Sequence, residues 1–393
     1  MTQRPLEKGS LVRSLVFSIL SCFAINSNAD TRFSGYLKNF TVLQEDVSND
    51  VFQIDSNYSS QFSARLMAEG FQENLSWQVH YELGSQFNAR RQPNFALPIE
   101  RNPYRLSDIK NQLSDSNSKT STVQNLDRFN LQLSLDAGDL TIGRQPITFG
   151  SARIINPTDV FLPFDVQALN TEYRVGIDAI RFQKPVGQLS ELDVGYILSE
   201  ETDRSALFSR FKTNAVGSDF EFTAIRFSEL KLLGVGIQST LGPFGAWFEV
   251  ANVSGEDSYN RVSGGLDYGF SESVFGMLEY HYNGAGGDPS EYFTQINQPA
   301  YIDGGVFLLG ENYLLPSLSW QASALTSYSL QIIANLDDES NFVILGFDRS
   351  LTDNLYLGGS VYWFTGDDAS LTNIGSEYGN NPNQLILNLR YYF

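Results

Sequence analysis

The chain of 393 residues contains one cysteine, three methionines and two histidines, and only 18% of its residues are charged. The lone Cys22 can close no internal disulfide, so no cystine framework is available. The histidines, His80 and His281, have neither cysteines nor an HExxH-type spacing around them, and no metal site is expected. No serine or carboxylate has a motif that pairs it with either histidine, so catalysis is not expected. No dinucleotide or phosphate-loop fingerprint occurs, and no cofactor is expected. Beyond residue 29 no apolar run approaches the roughly 20 residues that a membrane helix needs, which excludes a helical membrane protein. Positive charge is also scarce, with 26 Lys and Arg against 45 Asp and Glu for a net −19. Without a basic domain, nucleic acid is not an expected partner.

What is abundant is aromatic and small. Nineteen Tyr, 29 Phe and 32 Gly suit a chain of strands and turns. The N-terminus reads as a secretory signal peptide over residues 1–29. Arg4, Lys8 and Arg13 precede the apolar segment Leu15 to Ile25, and Asn26-Ser27-Asn28-Ala29 follows. Ile19-Leu20-Ser21-Cys22 resembles a lipoprotein box, but Leu20 is bulky there and Ala29 is the better cleavage site. Cleavage after Ala29 removes three basic residues and Glu7, taking the net charge from −19 to −21.

Residues 30–393 then read as a single domain. Its dominant signal is alternation at period two in segments of about ten residues. In Leu75–Leu83 one face carries Leu, Trp, Val, Tyr and Leu, and the other Ser, Gln, His and Glu. Eighteen such strands are expected, near 32–42, 59–69, 74–87, 126–135, 139–148, 175–184, 189–199, 205–213, 219–228, 231–240, 244–253, 261–270, 273–283, 312–321, 326–336, 341–350, 354–364 and 384–393. Connections after even-numbered strands are short; those after odd-numbered ones are usually longer, as in an up-and-down barrel with both termini periplasmic. The fold class is therefore all-β: a transmembrane antiparallel up-and-down β-barrel of 16–18 strands, apolar towards lipid and polar towards the lumen. Aromatic strand ends such as Tyr280-His281-Tyr282 and Tyr362-Trp363-Phe364 fit interfacial girdles. The final strand closes on Phe393, which resembles the C-terminal signal through which outer-membrane barrels meet the assembly machinery.

Parity assigns Arg65, Arg128, Arg181, Arg210, Lys212, Arg261 and Arg390 to the lumen, together with Glu82, Asp193, Glu221, Glu249, Asp267 and Glu279. These charges either pair across strands or form a basic track favouring anions. Segments 43–58, 284–311 and 365–383 read as acidic surface loops, solvated or bridged by divalent cations to lipopolysaccharide; 149–174 also reads as a surface loop. The 88–125 loop is basic, with Arg90, Arg91, Arg101 and Arg105, and is a candidate constriction or a latch on the rim.

The most distinctive stretch is Gly143-Arg144-Gln145-Pro146-Ile147-Thr148-Phe149-Gly150, followed by Asn156-Pro157-Thr158-Asp159-Val160-Phe161 and by Glu172 to Phe182. It adds Arg144, Arg153 and Arg174 to the selectivity candidates. Here the chain resembles bacterial outer-membrane porin-like families, especially the alginate-export type, described as eighteen-stranded barrels with arginine-rich lumens. The resemblance covers the strand plan and residues 139–184, and it implies a channel, with export of an acidic polysaccharide as one expectation. Such exporters close the periplasmic end with a long loop, whereas every periplasmic turn here is short. The leading expectation is an outer-membrane porin-like channel for small, anion-preferred solutes; an exporter and a plugged structural or adhesive barrel are the alternatives.

Overall fold

The computed structural model describes residues 30–89, 103–109, 113, 119–161, 169, 172–256, 258–371 and 374–393. Eighteen strands form one sheet: β1 (Asp30–Gln44), β2 (Asn57–Gln72), β3 (Leu75–Asn88), β4 (Thr120–Leu135), β5 (Gly138–Gln145), β6 (Ile177–Pro185), β7 (Ser190–Ile197), β8 (Ala206–Ala215), β9 (Ser218–Phe227), β10 (Leu230–Leu241), β11 (Phe244–Gly255), β12 (Tyr259–Gly269), β13 (Val274–Asn283), β14 (Asn312–Ser323), β15 (Thr326–Asn335), β16 (Asn341–Ser350), β17 (Leu355–Thr365) and β18 (Gln384–Tyr392). Each pairs antiparallel with its neighbours in sequence, and β1 closes the ring on β18 from Tyr36↔Tyr392 to Gln44↔Gln384. Just past β18, Phe393 and Gly35 exchange both backbone hydrogen bonds, at 2.9 and 3.0 Å. A Cβ at Gly35 would collide with the Phe393 ring and the Arg65 carbonyl, so the seam requires glycine there.

Closure leaves no unpaired strand edge, the condition for crossing a bilayer with strands. Alternation supplies the second condition. Leu66, Leu131, Leu233, Phe248, Leu278 and Leu345 point outward around the circumference and are all exposed. An apolar band of that extent is stable only against lipid. Phe71, Phe244, Phe270, Trp320, Tyr328 and Phe393 lie outward near the short-turn end and supply one aromatic girdle. Turns at that end span two to four residues. Val216-Gly217, with φ of 54° and 74°, has the doubly positive geometry of a type I′ hairpin.

The inner face departs from uniform polarity. Towards the short turns it is lined by Ser, Thr, Gln and charged residues, as alternation predicts. Towards the long loops it is apolar. Ile177, Ile197, Phe208, Phe227, Leu232 and Val253 belong to one buried cluster, and Phe40, Val42, Leu315, Ile333, Phe342 and Phe364 to another. These inward faces are covered by loop residues rather than water. Two one-turn helices, Tyr292–Gln295 and Pro299–Ile302, belong to the 284–311 loop and contribute the buried Tyr292 and Ala300.

Candidate functional site

Of the 149–174 stretch, expected as a surface loop, residues 149–161 enter the barrel instead. β5 has only eight residues, because Gly143 adopts φ 113° and Pro146 has no backbone donor to extend the ladder. From Pro146 the chain crosses the lumen. Ile147, Phe149, Val160 and Phe161 pack into the first cluster, and Ile154 and Ile155 into the second on the other side. The apolar inner faces of β6–β12 and of β13–β18 with β1 thus explain its course: burial against this segment removes them from water.

Irregular backbone inside a barrel needs hydrogen-bond partners. Two wall carboxylates supply most of them. Glu249 on β11 accepts from the backbone N–H of Ser151, Ala152 and Thr158 and from the Thr158 hydroxyl. Glu279 on β13 accepts from the N–H groups of Arg153, Ile154 and Ile155, at 3.0, 3.2 and 2.8 Å, and from the Trp247 indole at 2.7 Å. Glu221 on β9 receives Gly150 N–H at 3.2 Å. The segment's carbonyls are met by donors of the wall. Arg210 donates to Thr148 O, Gln238 to Ser151 O, Ser263 to Ile155 O and Arg261 to Pro157 O. Parity placed Glu221, Glu249 and Glu279 in the lumen, yet nothing in the sequence marked backbone amides as the partners of the last two.

The predicted basic residues fall into three groups. Arg65, Arg105, Arg128 and Arg144 converge with Glu82, Asp108, Asp127 and Asp178 in a buried network that balances four positive charges with four negative ones. A bulge in β4 between the partners of His80 and Tyr81 leaves Asp127 outside the ladder, where it binds Arg65, Arg128 at 2.7 Å and Gly176 N–H at 2.8 Å. Arg144 keeps the register of Leu140 and Ile142, opposite Phe129 and Asp178, and its guanidinium also reaches Ser107 and Asp108. Arg105 donates to Gly176 O at 2.9 Å and joins 103–109 to the wall. Arg90, Arg91 and Arg101 lie outside the described residues.

The second group lines the wall in pairs. Arg181 grips Asp193 through two bonds of 2.9 and 2.7 Å, and Arg210 shares that carboxylate. Lys212 pairs with Glu221 at 3.2 Å, and Arg390 with Asp348. Arg261 is buried against Pro157. The third group is Arg153, on the crossing segment, and Arg174, just before β6. Arg153 has a side chain 50% exposed, over Trp247 and 3.8 Å from Asp267; the Arg174 side chain is 34% exposed and 3.9 Å from Asp159. Arg153 thus combines a place on the crossing segment with access to water, and Arg174 is partly open to water as well.

Fold and lumen together define a porin-like transmembrane β-barrel with an inward-folded segment. No family model matches the chain, and no curated protein matches it. Among solved structures it is similar to OccK5 (OpdH) of Pseudomonas aeruginosa, at 8% identity and a TM-score of 0.60, over 93% of this chain and 98% of that one. It is likewise similar to OccAB4 of Acinetobacter baumannii, at 10% identity and a TM-score of 0.58, over 92% and 98%. OpdK of Pseudomonas aeruginosa, solved with vanillate, gives 9% identity and a TM-score of 0.56, over 93% and 98%. At such identities the likeness lies in the fold.

Proposed function

We propose that this chain is an outer-membrane porin-like channel through which small solutes diffuse. The observation that carries the reading is the segment 146–161, laid across an eighteen-stranded barrel and held by Glu249 and Glu279. A barrel of 16–18 strands encloses more space than its own side chains fill, and a crossing segment reduces that space to a selective opening. The lipid-facing band and the likeness to OpdK and the Occ barrels support the same placement. On this reading residues 1–29 are removed on export, the final strand with Phe393 engages the assembly machinery, and the acidic outer loops meet lipopolysaccharide through divalent cations.

The solutes are small, and among ions the opening prefers anions. Most lumen arginines are held by short hydrogen bonds to carboxylates, whereas Arg153 and Arg174 meet Asp267 and Asp159 at 3.8 and 3.9 Å with more exposed side chains, so the preference rests on these two, acting over a Debye length of roughly 10 Å at 0.1 M salt. Export of an acidic polymer, the alginate-type reading, fits less well, because the crossing segment occupies the width that a polymer would need. A plugged barrel is the rival that the same segment favours, since its apolar side chains fill much of the outer half of the lumen.

Ion conductance of the purified barrel in planar bilayers separates these readings. We expect open-channel current with a reversal potential on the anion side, shifted towards cations by Arg153→Glu. A correctly folded barrel without current would overturn the channel and select the plug.

A further inference from the structure

Below the crossing segment, towards the short turns, the inner wall of β1–β6 opens into a recess of about 420 Å³. That volume falls within the roughly 300–1,000 Å³ of small-molecule sites. Gln145 and Pro146, where the chain leaves β5, form one end. Ser76, Gln78, Asn130, Gln132, Thr141 and Gln183 line its sides from β3, β4, β5 and β6.

The chemistry of this wall differs from that around Arg65 and Asp127. There charged side chains close on one another, whereas here amides and hydroxyls dominate. The side chains of Ser76, Gln132 and Thr141 make no hydrogen bond to another described residue. Gln78 makes only long contacts of 3.4 Å, donating to Glu69 and accepting from Asn130, and Gln183 donates to Glu191 at 3.4 Å. Amide and hydroxyl groups both donate and accept, so together they match a solute whose adjacent hydroxyls do the same.

Charge at the recess is balanced. Arg181 is held by Asp193 through two bonds, and Arg32 faces Glu69 across the β1–β2 register. Glu69 keeps its carboxylate towards His80 at 2.9 Å, where it would repel a second carboxylate.

From this we infer that the recess is a subsite for a neutral, polyhydroxylated solute of monosaccharide size. It lies in series with the opening, between the crossing segment and the short-turn end. The inference rests on the porin reading and adds the solute class to it.

Single-channel recording with D-glucose as the probe tests it, on wild-type protein and on the double variant Gln132→Leu, Gln183→Leu, both first shown folded by heat-modifiable migration. Glucose should interrupt the wild-type current saturably, and the double substitution should raise the half-saturating concentration about tenfold or more, a loss of roughly 1.4 kcal/mol. Current in salt alone reports the channel: its absence would remove the porin reading. Normal current with a glucose effect that is linear in concentration, or unchanged by the double substitution, overturns the subsite alone. Stronger interruption by gluconate than by glucose would overturn its neutrality.

Discussion

The two halves of the lumen are built from the same strands but to different rules. Towards the short turns the inward residues are polar and face open space, as in the recess between β1 and β6. Towards the long loops they are apolar and meet loop residues in a packed interior, as where Phe149 lies edge-on to Phe208 with ring centroids 5.1 Å apart. One strand carries both rules: β10 offers Leu230 and Leu232 to the packed half, then Gly234, Gly236 and Gln238. The glycines matter because Thr158 and Ser151 lie against them, and a Cβ at either would collide with the segment. The difference teaches that the outer half is a folded interior and the inner half a solvated vestibule. Glu249 and Glu279 lie where the two meet.

If that division is right, the largest effect should come from cutting the segment loose. Each of the two carboxylates accepts four hydrogen bonds, and bonds to charged groups contribute about 1.5–3 kcal/mol apiece. The double variant Glu249→Ala, Glu279→Ala should keep a heat-modifiable barrel yet raise single-channel conductance several-fold. Unchanged conductance would place the narrow point elsewhere and break the comparison. A smaller effect should separate the halves energetically. Phe208→Ala removes a fully buried ring from the packed half and should cost about 3–5 kcal/mol in denaturant titration. Ser319→Ala, at an inward and exposed position of the vestibule on β14, should stay within about 0.5 kcal/mol. Similar losses at both sites would mean that the vestibule is packed as well.

Strands were the most legible part of the sequence, because a wall with lipid on one side enforces period two. All eighteen expected segments overlap the observed strands. The misses have local causes. β4 begins at Thr120 rather than near 126, since its first residues put Thr122 and Gln124 on the outer face, beyond the apolar band that defined the pattern. β5 stops at Gln145 rather than 148, at Pro146. The site was less legible. The Gly143–Phe161 motif stood out, but its course did not, because a loop's destination depends on what the wall offers it. Apolar residues on both faces of β10, as in Leu230-Lys231-Leu232-Leu233, were the available sign. Which arginine meets which carboxylate was not readable at all: Arg65 and Asp127 are 62 residues apart and meet only through the register of three strands and a bulge.

The last expected effect concerns the roof of the packed half. Glu377, in the loop after β17, lies buried among three connections and accepts from Tyr313 O–H at 2.6 Å, Asn335 at 2.9 Å and Leu309 N–H at 3.0 Å. Burial pushes its carboxyl up from 4.5 to about 7, against those hydrogen bonds, which favour the charged form. A carboxyl raised in the docked state binds its proton more tightly there than when the loop is free. Docking is therefore strongest below about pH 4.5, weakens as pH rises through about 7, and is level above that, a span on the order of 3 kcal/mol. Protease nicking of the 366–383 loop on intact cells should accordingly be faster at pH 8 than at pH 5. Glu377→Gln, neutral at both, should flatten the difference while the protein conducts as before. Equal nicking of the wild type at the two pH values would show that the outer half owes its closure to apolar packing alone.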